Sequence, residues 1–172
     1  MDATRADLIR QYREGPERLA QSVLGLDDKV LDYEPADGGW SPRQVVHHTA
    51  DSELTSAVRL RRLIAEDGPA ILGYDTEEFA RRLHYADRPI QPSLDAIRAA
   101  RSTSASLLER LSEEDWYRAG THDEIGRYSV ETWLRIYAVH CHDHAAQIDR
   151  AVAEAKKQSA PRQAGGAPTS VG

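Results

Sequence analysis

The stretch Trp40-Ser-Pro-Arg-Gln-Val-Val-His-His-Thr-Ala-Asp51 predicts the start of a long helix. Ser41 is a good N-cap, Pro42 suits the first helical position, and Gln44 stands three residues after Ser41, as a capping box requires. The apolar residues that follow cover one broad side of a helix, and a Gly-Pro pair then ends it. We therefore expect a helix over about residues 42–66.

Shorter elements are predicted on both sides of this helix. Before it, the apolar spacing indicates two short helices, over about residues 3–13 and 16–24, because Gly15-Pro16 interrupts the pattern. After it, about residues 67–92 form a crossover with a short helical piece from near Thr76 to Leu83. A crossover of this length suits helices that are not antiparallel neighbours.

Two more long helices are predicted after the crossover. The first spans about residues 93–111 with Ser93 as its N-cap, and we expect its Arg98 and Arg101 to be solvated. The second spans about residues 129–155. Between these helices, residues 118–128 contain two glycines with polar neighbours and are interpreted as a loop or hairpin.

The last predicted helix carries a histidine pair. His140 and His144 are four residues apart, so on a helix they lie about 6 Å apart on one face and can share a metal ion. In the common zinc motif of this spacing the second position holds a general base, but here it holds Cys141. The pair therefore indicates either metal ligands or hydrogen-bonded core histidines. The other histidines of this half of the chain are expected on the surface: His84, His122 and His142.

A third histidine from the opening stretch would close a metal site. His47 and His48 point about 100° apart around a helix, so both cannot face one ion. Helical periodicity does not choose between them, because both flank the apolar side. A polar stripe along the same helix is typical either of a pocket lining or of a solvated face. Its members are His48, Ser52, Thr55, Ser56 and Arg59.

The composition fits one folded domain. The chain has 172 residues, of which 40% are hydrophobic and 29% charged, with a formal net charge of −6. The acidic balance argues against nucleic-acid binding, and no apolar run approaches the roughly 20 residues of a membrane span. A single cysteine and no apolar signal core indicate a cytoplasmic protein. We expect the domain to cover residues 1–155 and residues 156–172 to form a disordered tail.

Three segments match a known family in order and spacing. Gly38-Gly-Trp-Ser-Pro-Arg-Gln-Val-Val-His-His-Thr-Ala-Asp-Ser52 strongly resembles the signature of the DinB-like superfamily, closest to its YfiT-like branch. Pro69-Ala-Ile-Leu-Gly-Tyr-Asp75 resembles a segment of that branch, and the stretch from His140 to Ile148 resembles its late helix. The resemblance covers roughly residues 8–152.

This resemblance implies an all-α four-helix bundle of up-down-down-up topology, with the long crossover between the second and third long helices. It implies that His48, His140 and His144 hold a zinc or nickel ion, with water at the open positions. It also implies a homodimer. Members of the branch carry the label of metal-dependent hydrolases, and some related proteins transfer low-molecular-weight thiols to electrophiles. The chain departs from its near relatives at Glu53, where a histidine often stands.

The implied site predicts a metal-dependent hydrolase that acts on a small-molecule substrate with metal-activated water. One alternative is a metal-dependent thiol S-transferase, which would join a bacillithiol-like, low-molecular-weight thiol to an electrophile. The other is a non-enzymatic binding module of the stress response. No nucleic-acid or membrane partner is expected.

Three side chains are candidates for chemistry beside the metal. Asp51 would orient an imidazole or a metal-bound water, or would lie on the helix surface. Arg59 would hold a substrate carboxylate or phosphate, or would form a salt bridge within the bundle. Tyr137 would donate a proton, or would only pack. Cys141 is interpreted as a small buried residue rather than a nucleophile.

Overall fold

The computed structural model describes residues 4–159, which form helices and one small sheet. The helices are α1 (Arg5–Val23), α2 (Asp28–Leu31), α3 (Pro42–Ala65), α4 (Thr76–Arg82), α5 (Gln91–Leu108) and α6 (Val130–Ser159). The strands are β1 (Ala70–Ile71), β2 (Ala119–His122) and β3 (Gly126–Ser129), and a 3-10 turn spans Asp115–Tyr117. The predicted tail begins at residue 156, but α6 continues to Ser159, and residues 160–172 lie outside the described part of the chain.

The first and last long helices run parallel. Near their N-termini, Arg5 lies 3.6 Å from Glu131, and further along both helices Arg18 pairs with Asp149. Both residue numbers rise together along this contact, so α1 and α6 point the same way. Helix α3 runs antiparallel to both, as its contacts with α6 show.

Contacts between α3 and α6 pair early residues of one helix with late residues of the other. The His48 and His144 rings lie 4.9 Å apart between centroids. Two turns later along α3, the Ser56 carbonyl accepts a 2.9 Å hydrogen bond from Trp133 Nε1, which precedes His144 in α6. The two helices are therefore antiparallel.

The helix α5 runs in the same direction as α3. His47 contacts Ser93 near the start of both helices, and Arg61 Nη1 donates to Ser104 Oγ near their ends. In chain order the long helices α1, α3, α5 and α6 therefore run up, down, down and up. The predicted bundle topology is confirmed, together with the crossover of α4 and β1 between α3 and α5.

The predicted break at Gly15-Pro16 is wrong, because α1 is one continuous helix with Pro16 inside it. Proline lacks the N–H that would bond the carbonyl four residues earlier, which is that of Tyr12. Arg101 Nη1 donates a 2.6 Å hydrogen bond to this carbonyl. A side chain at Gly15 would overlap the Arg101 guanidinium, so glycine leaves room for this contact. The helix continues because α5 supplies the missing donor.

The start of α5 also differs from the prediction. Its N-cap is Ile90, which makes no side-chain capping hydrogen bond, and Ser93 lies inside the helix with its hydroxyl on His47. Arg98 is exposed as expected. The prediction that Arg101 is solvated is wrong, because only 1% of this residue is exposed.

The protein is mainly helical, and a small three-stranded sheet accompanies the expected all-α bundle. The predicted hairpin is present as the antiparallel pair β2–β3, and β1 from the crossover joins β2 in parallel. His122 was expected on the surface, but it is 7% exposed and packs on Tyr128 with ring centroids 5.4 Å apart. The sheet therefore fixes the crossover to the segment that precedes α6.

The capping box predicted for α3 is confirmed. Ser41 Oγ accepts from the Gln44 amide nitrogen, and Gln44 Oε1 accepts from the Ser41 amide nitrogen. A matching N-terminal cap holds α6, where Ser129 Oγ accepts from the Thr132 amide nitrogen at 3.1 Å. In residues 4–159 no helix is long and apolar enough to cross a membrane. The two capped helices, α3 and α6, carry the histidines.

Candidate metal centre

Three half-buried histidines meet between α3 and α6. They are His48, His140 and His144, and each offers one ring nitrogen such that these atoms lie within 4.8 Å of one another. The antiparallel packing of α3 on α6 brings His48 beside the i, i+4 pair, about a hundred residues away in sequence. The structure thus brings together the three histidines that the family resemblance implies as ligands.

The neighbouring His47 is engaged elsewhere. It is fully buried, its Nε2 donates to the Arg88 carbonyl at 3.1 Å, and its Nδ1 accepts from the Ser93 hydroxyl at 2.8 Å. Both of its ring nitrogens are therefore used in joining α3 to α5 and the crossover. His48 Nδ1, by contrast, is buried without a hydrogen-bond partner in the described residues. His48 therefore has a ring nitrogen available for a metal ion and His47 does not, a distinction that helical periodicity cannot make.

The hydrogen bonds of His140 and His144 set their tautomers. His140 Nδ1 lies 2.9 Å from Glu53 Oε1, and His144 Nδ1 lies 2.9 Å from Gln147 Oε1. The Glu53 carboxylate can only accept, so His140 Nδ1 carries a proton and its Nε2 presents a lone pair. In this structure Gln147 presents its amide oxygen to His144, which gives that ring the same tautomer. The two Nε2 atoms lie only 3.2 Å apart. Two facing lone pairs repel each other unless a cation lies beside them, so the residues present fit a metal ion.

The protonation states also fit metal binding. Burial, followed by the charges of the other two histidines, lowers the pKa of His48 to about 3. Burial and the neighbouring His140 likewise lower the pKa of His144 to about 4. Both rings are therefore neutral near physiological pH. Neutral imidazole is the form that binds a metal.

The carboxylate that orients an imidazole is Glu53, whereas the sequence pointed to Asp51. Glu53 is fully buried and pairs with Arg101 at 2.8 Å. Burial would raise the pKa of Glu53, but the Arg101 charge and the hydrogen bonds from His140 and Arg101 lower it below its ordinary value. Asp51 instead accepts a 2.6 Å hydrogen bond from the Tyr85 hydroxyl. Glu53 therefore occupies the role that the sequence analysis gave to Asp51.

Aromatic and hydroxyl side chains line the surroundings of the three histidines. Trp40 packs edge-on against His48, with ring centroids 4.8 Å apart. Ser52 Oγ lies 3.4 Å from His140 Nε2. Tyr137 is 5% exposed, and its ring centroid lies 5.3 Å from that of His140. Burial raises the pKa of Tyr137 in spite of opposing contributions from Ser52 and Arg59, so its hydroxyl keeps its proton at neutral pH.

The salt bridge considered for Arg59 is not formed. Within residues 4–159 no carboxylate lies within ion-pair distance of Arg59. Its Nη2 donates to the Leu72 carbonyl, and its guanidinium lies 6.0 Å from the centre of the Tyr74 ring. The Arg59 charge is near enough to Tyr137 to oppose the rise in the pKa of its hydroxyl that burial causes. Arg59 is thus a half-buried cation without a carboxylate partner in residues 4–159, between the crossover and Tyr137.

The DinB superfamily's sequence model matches residues 11–148, most of the described chain. This chain belongs to the DinB superfamily. A protein of Oceanobacillus iheyensis named "putative metal-dependent hydrolase" is 38% identical over 140 residues, which cover 81% of each chain. A protein of Geobacillus thermodenitrificans with the same name is 34% identical, over 81% of this chain and 79% of the relative.

A solved structure shares the fold of this DinB-superfamily chain. It is YfiT from Bacillus subtilis, described as "a probable metal-dependent hydrolase with an unusual four-helix bundle topology". The two structures superpose with a TM-score of 0.80 at 28% sequence identity, over 91% of this chain and 90% of that one.

The remaining candidates in this DinB-superfamily bundle lie outside the metal centre. Cys141 is fully buried, and burial raises the pKa of its thiol, which agrees with a small packed residue rather than a nucleophile. His142 is only partly exposed, since its Nε2 donates a 2.9 Å hydrogen bond to the Gln11 carbonyl of α1. His84 is exposed as expected. What the centre offers chemically is three imidazole nitrogens, the set that in catalytic zinc sites leaves a coordination position open.

Proposed function

We propose that this protein is a metal-dependent hydrolase in which His48, His140 and His144 hold a zinc or nickel ion. The observation that carries the proposal is the pair of facing Nε2 atoms, 3.2 Å apart, with His48 beside them. The names of the DinB-superfamily relatives support the same reaction class. Nitrogen ligands suit both zinc and nickel.

An ion held by His48, His140 and His144 would supply Lewis acidity, which would favour ionisation of water and polarise a substrate carbonyl. The chain's own residues hold the site in shape. Glu53 and Gln147 fix the rings of His140 and His144 through their Nδ1 atoms. Trp40 covers one edge of His48 and limits the access of solvent to that side.

Two further side chains are placed to act on a substrate. Tyr137 keeps its proton at neutral pH because burial raises its pKa, so it can donate a hydrogen bond or a proton to a leaving group. Arg59 carries a charge that no carboxylate of the described chain neutralises, so it can bind a substrate carboxylate or phosphate. The substrate class that fits these groups is an anionic ester or amide.

The experiment begins with protein purified without a histidine tag and loaded with zinc or nickel. A panel of esters and amides is offered to the wild type and to the variants His48→Ala and His144→Ala, with the exposed His84→Ala as control. We expect hydrolysis that requires the ion, is lost in the two ligand variants and is retained in His84→Ala. Absence of a stoichiometric ion in the wild type, or equal metal content in His48→Ala, would refute the site.

A second set of assays separates the alternative reactions, which would use the same three histidines. Electrophiles are offered with several low-molecular-weight thiols, and conjugation is measured with and without the ion. Ion-dependent conjugation without ester or amide turnover would replace the hydrolase by a thiol S-transferase. Inactivity of the metal-loaded protein in both assays would favour the binding module.

A further inference from the structure

A fully buried ion pair connects the histidine site to α1. Glu53 and Arg101 have exposed fractions of 0% and 1%, and Arg101 Nη2 lies 2.8 Å from Glu53 Oε1. Taking two charges out of water is costly, and Glu53 Oε2 and Arg101 Nε have no hydrogen-bond partner in the described residues, so the remaining contacts hold the pair. The contacts of the two side chains therefore indicate what the pair is fixed against.

On one side the pair is fixed against backbone. Arg101 Nη1 donates to the Tyr12 carbonyl at 2.6 Å, and Arg101 Nη2 donates to the Tyr137 carbonyl at 2.7 Å. The Tyr12 carbonyl is free because Pro16 has no N–H, and the approach is open because Gly15 has no side chain. The guanidinium is thus held in place by α1 and α6 together, and its position does not depend on Glu53 alone.

On the other side the pair is fixed against a metal ligand. A single oxygen, Glu53 Oε1, takes the hydrogen bonds of Arg101, of His140 Nδ1 and, at 3.7 Å, of Cys141 Sγ. A carboxylate can only accept, so His140 must keep its proton on Nδ1. The partner of His144 is different in kind, because the Gln147 amide stands on the same helix and can turn to present an acceptor or a donor.

We propose that Glu53 is a positioning residue that enforces the Nδ1–H tautomer of His140, and that Arg101 ties this carboxylate to the Gly15-Pro16 site of α1. Metal affinity then depends on Glu53, which does not touch the ion but holds the ring of His140. Carboxylates play the same part in known zinc sites, where they accept a hydrogen bond from the far nitrogen of a zinc-binding imidazole. This inference rests on the metal site of the proposed function. It adds that a chain of hydrogen bonds runs through the core from His140 by way of Glu53 and Arg101 to the Tyr12 carbonyl of α1.

The test uses the full-length protein and two readouts that do not need turnover. Nitrogen NMR of the metal-free protein reports which ring nitrogen of each histidine carries the proton, and competition with a chromogenic chelator gives the zinc affinity. The variant is Glu53→Gln. The matched control is Asp32→Asn, which removes a carboxylate from the nearly buried Arg43 and contacts no histidine.

We expect His140 to be the Nδ1–H tautomer in the wild type and a mixture of tautomers in Glu53→Gln, since an amide can accept or donate. Zinc affinity should fall by about 10- to 100-fold in Glu53→Gln and stay unchanged in Asp32→Asn. An Nε2–H tautomer of His140 in the wild type would overturn the inference. So would a folded Glu53→Gln protein with wild-type affinity and tautomer.

A second variant keeps the test decisive if Glu53→Gln does not fold. Glu53→Gln combined with Arg101→Met removes both buried charges, an exchange that proteins often tolerate. This double variant should fold, lose the fixed tautomer and bind zinc about 10- to 100-fold more weakly; wild-type affinity and tautomer in it would overturn the inference. Neither the tautomer nor the zinc affinity involves a substrate. A protein that shows both expected results but hydrolyses nothing would therefore count against the proposed function and not against this inference.

Discussion

His140 Nε2 and His144 Nε2 face each other at 3.2 Å, and the hydrogen bonds on the far side of both rings direct a lone pair from each toward the other. With Gln147 presenting its amide oxygen, such an arrangement is unfavourable in the metal-free protein and becomes favourable once a cation binds. Metal binding removes this repulsion between the two lone pairs. Metal should therefore stabilise the fold as well as serve the reaction.

The first prediction concerns metal removal. Zinc at about a hundred times its dissociation constant should add about 2.7 kcal/mol to the free energy of unfolding, because it binds the native state and leaves the unfolded chain unbound. Thermal unfolding with and without a chelator measures the difference. His48→Ala should show no such increment. An equal increment in His48→Ala would mean that the ion binds somewhere else.

The second prediction concerns the pH dependence of the metal-free protein. The pKa values of His48 and His144, about 3 and about 4, lie below the ordinary histidine value, so the unfolded chain binds more protons than the native state in mild acid. Stability should therefore fall as pH decreases from about 6.5 toward about 4, by roughly 1 kcal/mol per pH unit for each group. Denaturant unfolding at several pH values checks this, and His144→Gln should reduce the slope.

The sequence predicted the parts of this molecule that depend on local rules. The Ser41–Gln44 capping box, the α6 start at Ser129 and the i, i+4 pair all follow from spacing along one helix. The choice of His48 rested on family resemblance. The structure shows the physical reason, which is that His47 uses both ring nitrogens against Arg88 and Ser93.

The errors came from charges that pair across the core. The sequence predicts a solvated Arg101, because charged residues are usually exposed. It points to Asp51 for the imidazole-orienting role because Asp51 stands three residues after His48. A signal was present, since Glu53 shares an apolar stripe with Ala50 and Ala57, and Arg101 shares one with Ile97 and Leu108. The periodicity of a sequence shows on which face of its helix a residue lies, but not which residue of another helix it contacts. The partner of each charge lies 48 residues away, and a second contact of Arg101, to the Tyr12 carbonyl, explains why Pro16 does not end α1.

The third prediction reverses the usual effect of replacing glycine in a helix. Gly→Ala inside a helix normally stabilises by about 1 kcal/mol. Gly15→Ala should instead destabilise by about 1–3 kcal/mol, because the new methyl group overlaps the Arg101 guanidinium and crowds Cys141. Thermal unfolding measures the change. Gly39→Ala, whose nearest neighbour is the exposed Asp37 carboxylate, is the control and should change little. A more stable Gly15→Ala protein would show that α5 does not approach α1 this closely.

The fourth prediction concerns the Tyr137 hydroxyl. Tyr137→Phe keeps the buried ring against His140 and removes only the proton donor. With an ester or amide substrate, we expect kcat to fall by about a hundredfold with little change in KM or in zinc content. Steady-state kinetics and metal analysis of the same preparation check both. Tyr117→Phe, at an exposed tyrosine, should leave all three unchanged. An unchanged kcat in Tyr137→Phe would reduce Tyr137 to a packing role.

The fifth prediction concerns substrate charge and Arg59. Its guanidinium has no carboxylate partner in residues 4–159, whereas Arg62, one turn along α3, is paired with Glu66 at 2.9 Å. A charge-assisted hydrogen bond to an anionic substrate contributes about 1.5–3 kcal/mol. Arg59→Met should therefore raise KM for anionic substrates by about 10- to 100-fold and leave matched neutral substrates nearly unaffected. Arg62→Met removes the same charge from the same helix and should not discriminate between the two. Equal losses on both substrates in Arg59→Met would assign Arg59 to holding the crossover through the Leu72 carbonyl, since that contact does not depend on substrate charge.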